Sequence, residues 1–302
     1  MIDLKTNLSL PVIAAPMFLV SGVDLVVEAC KNGIIGTFPS LNGRSSEDFE
    51  NMLIQITEEL ATFEKNNNRK AAPFGVNLIV HKTNKRIEKD LALCVKYKVP
   101  LVITSLGAVK DIVQTVHDYG GKVFHDIVKK RHAEKAAEAG VDGLILVCAG
   151  AGGHAGTANP FALMTEIKSF YTGQIILAGG IHNGKQIKAA EILGADYAYI
   201  GTHFIASKES MASLEYKDML INSEIKDITY TKDVSGIPGN FIKQSIERAQ
   251  KAENEDIDFI NKSENSKAWK DIWSAGQGVT AIKKIKPLKD IIQELKTEYN
   301  AC

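Results

Sequence analysis

Short apolar runs alternate with segments of helical spacing from the N-terminus to about residue 205. Each run ends in a small or polar turn, and the segment after it carries apolar residues three or four positions apart, which is typical of an amphipathic helix. The predicted strands are 11–17, 33–38, 74–79, 100–104, 122–127, 143–147, 174–178 and 196–201. The predicted helices are 23–31, 46–64, 83–97, 108–118, 130–139, one from Phe161, and 183–193.

The strands are continuously apolar and do not alternate between apolar and polar positions. This pattern predicts a parallel sheet that is covered on both faces. Eight strand–helix units in about 200 residues favour a closed barrel over an open doubly wound sheet. A dinucleotide-binding open sheet is also disfavoured because no GxGxxG motif follows the first strand. The predicted fold is therefore an α/β protein, a (β/α)8 TIM barrel.

The pattern changes after Phe204. Residues 207–275 are rich in Lys, Glu, Asn and Asp and lack the strand-then-helix rhythm, so we expect a mostly helical insertion after strand 8, with a turn from Gly236 to Gly239. Helical spacing resumes at 282–299, which closes the barrel as its last helix. The barrel would then comprise 1–206 and 276–302, with 207–275 covering the active-site side. The apolar faces of this insertion are a candidate homodimer surface.

The composition excludes several classes of protein. The 302 residues carry 36 Lys and Arg against 36 Asp and Glu, so no overall charge attracts nucleic acid or an anionic membrane. The four cysteines show no CxxC spacing, and neither a zinc-binding nor a GxSxG motif occurs. The N-terminus lacks a signal-peptide pattern, and no apolar run reaches the roughly 20 residues that span a bilayer. We therefore expect a cytoplasmic protein without a metal, nucleic-acid or membrane partner.

Two glycine turns follow adjacent predicted strands. Gly179 and Gly180 come after the seventh strand, and Gly201 and Thr202 come after the eighth. Glycine lets the backbone approach an anion, and the start of a helix adds unpaired N–H donors. Because the loops after strands seven and eight commonly bind phosphate in barrel enzymes, the two turns predict a phosphate site.

The loop after the sixth strand, residues 149–157, contains four glycines and one ionisable group, His154. A neutral imidazole with a pKa near 6.5 can take or give a proton at neutral pH. His182 and His203 follow the phosphate glycines and could also touch a ligand, whereas His125 is equally consistent with a core position or a pocket wall. A phosphate-anchored ligand beside a histidine, in a site with few carboxylates, indicates a flavin mononucleotide (FMN) enzyme.

The same motifs make the chain resemble the nitronate monooxygenase family, formerly called 2-nitropropane dioxygenases, which also contains flavin-dependent enoyl-acyl-carrier-protein reductases. The resemblance covers nearly the whole chain. It is carried by PVIAAPM at 11–17, FGVNL at 74–78, AGAGGHAG at 149–156, LAGGI at 177–181, AYIGTHF at 198–204 and WSAGQ at 273–277.

The resemblance implies a set of site residues. Ala15, Pro16 and Met17 would line the flavin, Asn77 would hydrogen-bond it, and Gly152 would lie against it. Gly179, Gly180, Gly201 and Thr202 would hold its phosphate. His154 matches the catalytic base that removes the proton α to the nitro group, and Gln277 would lie near the flavin.

The chain departs from the family pattern at two positions. Many relatives have a glutamine at the end of strand six, four residues before the paired glycines, and a glutamate two residues before them. By alignment Val147 or Cys148 stands at the first position, and Gly150 stands at the second. A contact to the flavin edge and a nearby carboxylate are lost, which leaves the exact substrate open.

Three functions are consistent with these residues. The first is FMN-dependent oxidation of alkyl nitronates or nitroalkanes with O2, with His154 as the general base. The second is NAD(P)H-dependent flavin reduction of an enoyl thioester or a quinone, with His154 as the proton donor. The third is a non-catalytic barrel that binds a phosphorylated metabolite.

Overall fold

Eight parallel strands close into a barrel in the computed structural model, which describes residues 2–107, 110–255 and 271–302. The barrel strands are β1 (Val12–Ala14), β2 (Ile35–Pro39), β3 (Phe74–Ile79), β4 (Leu101–Ser105), β5 (Lys122–Ile127), β6 (Gly143–Val147), β8 (Gln174–Ala178) and β9 (Tyr197–Ile200). The two-residue strand β7 (Gly153–His154) lies outside the barrel. Pairing of β9 with β1, with Tyr199 opposite Ile13, completes the closure. The predicted (β/α)8 barrel is confirmed.

The described helices comprise the outer layer of the barrel and further helices in the segment after β9. They are α1 (Val23–Lys31), α2 (Ser46–Asn67), α3 (Ile87–Lys96), α4 (Lys110–Asp118), α5 (Lys130–Glu138), α6 (Pro160–Lys168), α7 (Gly184–Ile192), α8 (Thr202–Ile205), α9 (Leu214–Ile221), α10 (Lys243–Glu255) and α11 (Leu288–Asn300), and 3-10 helices span Ser40–Asn42, Ile225–Asp227 and Gln277–Ala281. Ala108, where the fourth helix was predicted to begin, lies outside the described residues. No helix in the described parts of the chain is long and apolar enough to cross a membrane.

Local sequence signals set where these helices begin. Ser45 and Asp48 form a capping box at the start of α2, in which each side chain accepts a hydrogen bond from the other's backbone N–H at 3.0 Å. Asn159 caps α6, which has Pro160 in its first turn, and Asn183 caps α7. These caps satisfy N–H groups that the first turn of a helix leaves without partners.

The hydrophobic core has an inner and an outer part. Large side chains from alternate strand positions fill the barrel interior: Ile13, Ile35, Leu101, Ile103, Phe124, Ile145, Ile176 and Tyr197. The opposite faces of the same strands pack against the helices. The barrel is therefore a solid support, and ligand chemistry is restricted to its ends.

His125 belongs to the outer part of the core. Its neighbours Phe124 and Asp126 face the barrel interior, so the alternation of side chains along β5 turns His125 towards the helices. The ring is 6% exposed, and its Nδ1 lies 2.8 Å from Thr104 Oγ1. Burial lowers the pKa of His125 to about 4. Of the two roles that the sequence allowed, the structure supports the core position.

His125 should make the protein sensitive to acid. The unfolded chain binds a proton at His125 as the pH falls below 6.5, whereas the folded chain does so only near 4, so stability falls across this window. At about pH 4.5 this contribution amounts to about 2 kcal/mol. Urea unfolding at about pH 7.5 and about pH 4.5 should show a smaller loss of stability in His125→Asn than in the wild type. An exposed control, His81→Asn, should keep the wild-type loss, and an equal loss in all three proteins would contradict the prediction.

The segment after β9 contains strands as well as the predicted helices. β10 (Ile228–Thr231) and β11 (Gly239–Ile242) pair antiparallel, and β11 also pairs with β7, so that Gly239 lies opposite His154. These strands were not predicted, because each is four residues long and lies in a segment rich in charged residues. Residues 256–270 of the predicted insertion are outside the described residues. The 207–275 boundaries and the homodimer stay predictions.

Candidate active site

The carboxyl ends of the barrel strands bring the predicted ligand-binding residues to one mouth. Ala15, Pro16 and Met17 follow β1, and the Ala15 N–H donates to the carbonyl of Ile200 in β9 at 2.9 Å. A Cβ on Gly201 would lie 3.5 Å from both the Ala15 Cβ and the Met17 Sδ. The β1 turn and the β9 turn are therefore neighbours, as the proposed flavin site requires.

The loop after β6 packs against the chain where it returns to the barrel. A Cβ on Gly152 would lie 2.8 Å from the backbone nitrogen of Gly276 and 3.1 Å from Thr202 Oγ1. Thr202 Oγ1 accepts a hydrogen bond from the Gly276 N–H at 2.9 Å. The three segments meet at van der Waals distance, and the position of Gly152 requires glycine.

Gln277 lies on this returning segment. Its N–H donates to the Gly150 carbonyl at 2.9 Å. A Cβ on Gly150 would be 3.0 Å from the side-chain oxygen of Gln277, so the glutamine amide borders the space that a side chain at Gly150 would enter. Gly150 has a φ of +87°, a backbone conformation that favours glycine at this position.

The glycine pair after β8 adopts backbone conformations that favour glycine. Gly179 has a φ of +125° and Gly180 a φ of +72°. A Cβ on Gly179 would be 2.8 Å from the carbonyl oxygen of Ala149, whereas a Cβ on Gly180 would meet no atom within 4 Å. The turn is thus packed against the β6 loop on one side and open on the other, which leaves room for a ligand at Gly180.

His154 is held by the small sheet outside the barrel. Its strand β7 pairs with β11, and its Nε2 lies 3.0 Å from Ser235 Oγ. Ser235 Oγ also lies 3.2 Å from the Ile237 carbonyl, so the serine hydroxyl can either donate to this carbonyl and accept from the ring or donate to the ring itself. Burial lowers the pKa of His154, which keeps the imidazole neutral at pH 7.

Ser235 is a candidate site residue that sequence reasoning missed. It lies 81 positions from His154 in a polar loop between β10 and β11. Only the pairing of β7 with β11 brings the two side chains together, and no motif or spacing signals that pairing.

Asn77 lies inside the barrel at its mouth, where it is 4% exposed. Its Nδ2 donates to Ser105 Oγ at 2.7 Å and to the Ile103 carbonyl at 3.3 Å. Ser105 in turn donates to Asp126 Oδ2 at 2.5 Å. Sequence reasoning did not single out Asp126, whose position in β5 is the only signal that it faces the interior.

His182 and His203 lie behind the phosphate glycines. His182 Nδ1 is 3.0 Å from the Gly180 carbonyl oxygen. Within the described residues the buried His203 Nδ1 has no hydrogen-bond partner, and burial lowers the pKa of His203 to about 4. Both rings border a cavity of about 210 Å³ that Lys286 and Glu294 also line. The expectation that one of these histidines touches a ligand stays a prediction.

No group of three or more His, Cys, Asp or Glu side chains suited to a metal ion occurs in the described ranges. The polar groups that the described residues place at the mouth are instead backbone amides, hydroxyls, the amide side chains of Asn77 and Gln277, and the imidazole of His154. Such a set suits an organic ligand that carries a phosphate.

Comparisons with known proteins agree with this geometry. The family model of nitronate monooxygenase matches residues 2–298, and the chain belongs to that family of oxidoreductases. A relative in Rhodococcus jostii, named (3aS,4S,5R,7aS)-5-hydroxy-7a-methyl-1-oxo-octahydro-1H-indene-4-carboxyl-CoA dehydrogenase, is 23% identical over 92% of this chain and 72% of its own.

Two solved structures share the fold. Nitroalkane oxidase from Streptomyces ansochromogenes superposes with a TM-score of 0.81 at 20% identity, over 99% of this chain and 98% of its own. FabK from Thermotoga maritima superposes with a TM-score of 0.79 at 24% identity, over 99% and 95%. At these identities the likeness shows the fold alone.

The contact at Gly152 can be tested by comparing two glycines. Gly152→Ala should lower the free energy of unfolding by about 2 kcal/mol, because the added methyl overlaps the Gly276 backbone. Gly201→Ala should change it by less than about 1 kcal/mol, because its methyl meets ordinary contact distances and Gly201 has a negative φ. Urea unfolding of the ligand-free proteins measures both values. Equal losses in the two variants would show that the three segments are not closely packed at Gly152.

Proposed function

We propose that this protein is an FMN-dependent enzyme that oxidises alkyl nitronates or nitroalkanes with O2, with His154 as the general base. The observation that carries the proposal is a half-buried, neutral imidazole on the β6 loop, in which Gly152 lies against Thr202 and Gly276. Membership of the nitronate monooxygenase family supports the same reaction class.

The residues at the mouth fit FMN. The backbone N–H groups at Gly180, which borders open space, and at Gly201 are available to the phosphate. Gly179 adopts the backbone conformation that forms the turn before Gly180. Thr202 Oγ1 already accepts from the Gly276 N–H, so its own hydroxyl hydrogen can be donated to a phosphate oxygen.

The rest of the mouth fits the flavin ring. Ala15, Pro16 and Met17 supply an apolar edge beside Gly201, and Asn77 supplies an amide. Gly152 presents backbone without a side chain. When bound, FMN supplies the electron transfer between the substrate and O2 that side chains cannot perform.

His154 handles the proton. The proton on the carbon α to the nitro group would pass to the imidazole, and the electron pair of the broken C–H bond would be delocalised onto the nitro oxygens. Ser235 orients the ring through its contact with Nε2, and we assign Nδ1 as the basic nitrogen, with the Ser235 hydroxyl directed to the Ile237 carbonyl. A pKa lowered by burial keeps the base neutral before it acts.

Separate assays with a nitroalkane and with its preformed nitronate test the role of His154. A nitronate has already lost the α proton, so only the nitroalkane needs a base. His154→Asn should lower kcat for the nitroalkane by about 10²- to 10⁴-fold and retain bound FMN, with a much smaller effect on the nitronate.

Ser235→Ala should lower nitroalkane turnover by about tenfold, because the ring loses one orienting hydrogen bond. The exposed control His81→Asn should match the wild type with both substrates. If His154→Asn lost the two activities equally, or lost neither, the role of His154 as a base would be wrong.

A second candidate is an NAD(P)H-dependent flavin reductase that acts on an enoyl thioester or a quinone. It is favoured by the name of the Rhodococcus relative, which describes a dehydrogenase of a CoA thioester. Val147 or Cys148 and Gly150 stand where family members have a glutamine and a glutamate, which also weakens the assignment to nitronates.

Anaerobic mixing distinguishes the two candidates. Under the first proposal the flavin should bleach with a nitronate and stay oxidised with NADH or NADPH. Rapid bleaching by either nucleotide would instead establish the reductase. A protein that is colourless when purified and takes up no FMN would contradict both, and would favour a barrel that binds another phosphorylated metabolite.

A further inference from the structure

A polar layer lies above the apolar interior of the barrel, on the side of the mouth. It consists of Asn77 from β3, Ser105 from β4, Asp126 from β5 and Tyr199 from β9. Ser105, Asp126 and Tyr199 lie two positions after the interior residues Ile103, Phe124 and Tyr197, respectively. This spacing keeps side chains on the same face of a strand.

Three of these residues form a hydrogen-bond chain whose direction is fixed. The Ile103 carbonyl can only accept, so the Asn77 amide nitrogen must face it, and the same nitrogen donates to Ser105 Oγ. The Ser105 hydroxyl then donates to Asp126 Oδ2. Among the described residues, the Asn77 side-chain oxygen has no hydrogen-bond partner, and it remains an acceptor.

Asp126 at the end of this chain is a buried carboxyl group that lacks a positive partner. In the described parts of the chain no cation contributes to its electrostatics, and its buried Oδ1 has no hydrogen-bond partner there. Burial raises the pKa of Asp126 to about 6, and the Ser105 hydrogen bond opposes this shift.

Few groups that titrate face Asp126. Among the described residues, Tyr199 is the titratable side chain whose pKa the charge of Asp126 raises, and burial, the larger cause, holds that pKa well above 10. Ser105 is its hydrogen-bond partner from β4, and β6 on the other side is entirely apolar. His125, which precedes Asp126 in β5, points to the opposite face of the strand, where its Nδ1 lies 2.8 Å from Thr104 Oγ1.

We propose that Asp126 is a positioning residue that acts through Ser105 to hold the Asn77 amide with its oxygen available to the ligand, and that the charge of Asp126 sets how readily bound FMN is reduced. The inference rests on the proposed function, because it assumes that FMN occupies the mouth. It concerns residues of this chain that the comparisons do not assign.

The charge should act with a definite sign. Reduction adds electron density to the flavin, which an ionised carboxylate nearby disfavours by like-charge repulsion. Each reduction by two electrons from an external reductant should therefore be accompanied by uptake of protons from solvent, part of it at Asp126. The midpoint potential should fall more steeply with pH where Asp126 ionises than it would without that group.

The test is the midpoint potential of protein-bound FMN, measured with dithionite and a reference dye between about pH 5 and about pH 8. Asp126→Asn keeps the shape of the side chain but cannot ionise. Its potential should lie above that of the wild type at the high-pH end and converge with it at the low-pH end. Asp111→Asn, an exposed carboxylate on α4, is the matched control and should follow the wild type throughout.

Ser105→Ala tests the link between Asp126 and Asn77. Removal of the hydroxyl takes away a hydrogen bond that stabilises the ionised carboxylate, so the inflection should move to higher pH. The Asn77 amide also loses a partner, and the FMN dissociation constant should rise about fivefold.

The results separate the failure of this inference from that of the proposed function. If the wild type takes up FMN but Asp126→Asn runs parallel to it at every pH, the role of Asp126 is overturned. An unchanged inflection and FMN affinity in Ser105→Ala would overturn the link. If the wild type takes up no FMN, the proposed function fails, and the inference fails with it.

Discussion

The contact of glycine backbone with glycine backbone is the constraint on which the site depends. Gly152 on the β6 loop lies so close to Gly276 and Thr202 that a methyl group would not fit, and Gly150 hydrogen-bonds Gln277 beside it. This contact joins the loop that carries His154, the turn after β9 and the returning chain. Bulky side chains there would separate the proposed base from the proposed phosphate site.

The barrel could be predicted from the sequence because its strands are buried on both faces. A strand such as β6 reads as an uninterrupted apolar run, and its bounds, like those of β3, β5 and β8, match the prediction. The glycine turn after β8 was predictable for a related reason. Gly179 and Gly180 need backbone conformations that other residues rarely adopt, so the sequence records the shape of the turn directly.

The remainder of the site depends on contacts between distant parts of the chain. Ser235 bonds His154 through strand pairing across 81 positions, and strands as short as β10 and β11 leave no periodic pattern to detect. Asp126 was missed for a different reason. A single acidic residue in a predicted strand does not by itself indicate whether its side chain faces the barrel interior or the helices. The role proposed for Asp126 can be inferred only from the structure, in which Ser105 and Asn77 on neighbouring strands connect to it by hydrogen bonds.

The pairing of β7 with β11 has a consequence for how such proteins can change over evolutionary time. His154 belongs to the barrel's own loop, yet its strand is completed by a hairpin encoded some 80 residues later. This hairpin is therefore not a structural unit that can be exchanged independently of the β6 loop. A recombination event that exchanged the hairpin between relatives would remove the strand that pairs with β7. We therefore expect the β6 loop and the hairpin to be inherited together.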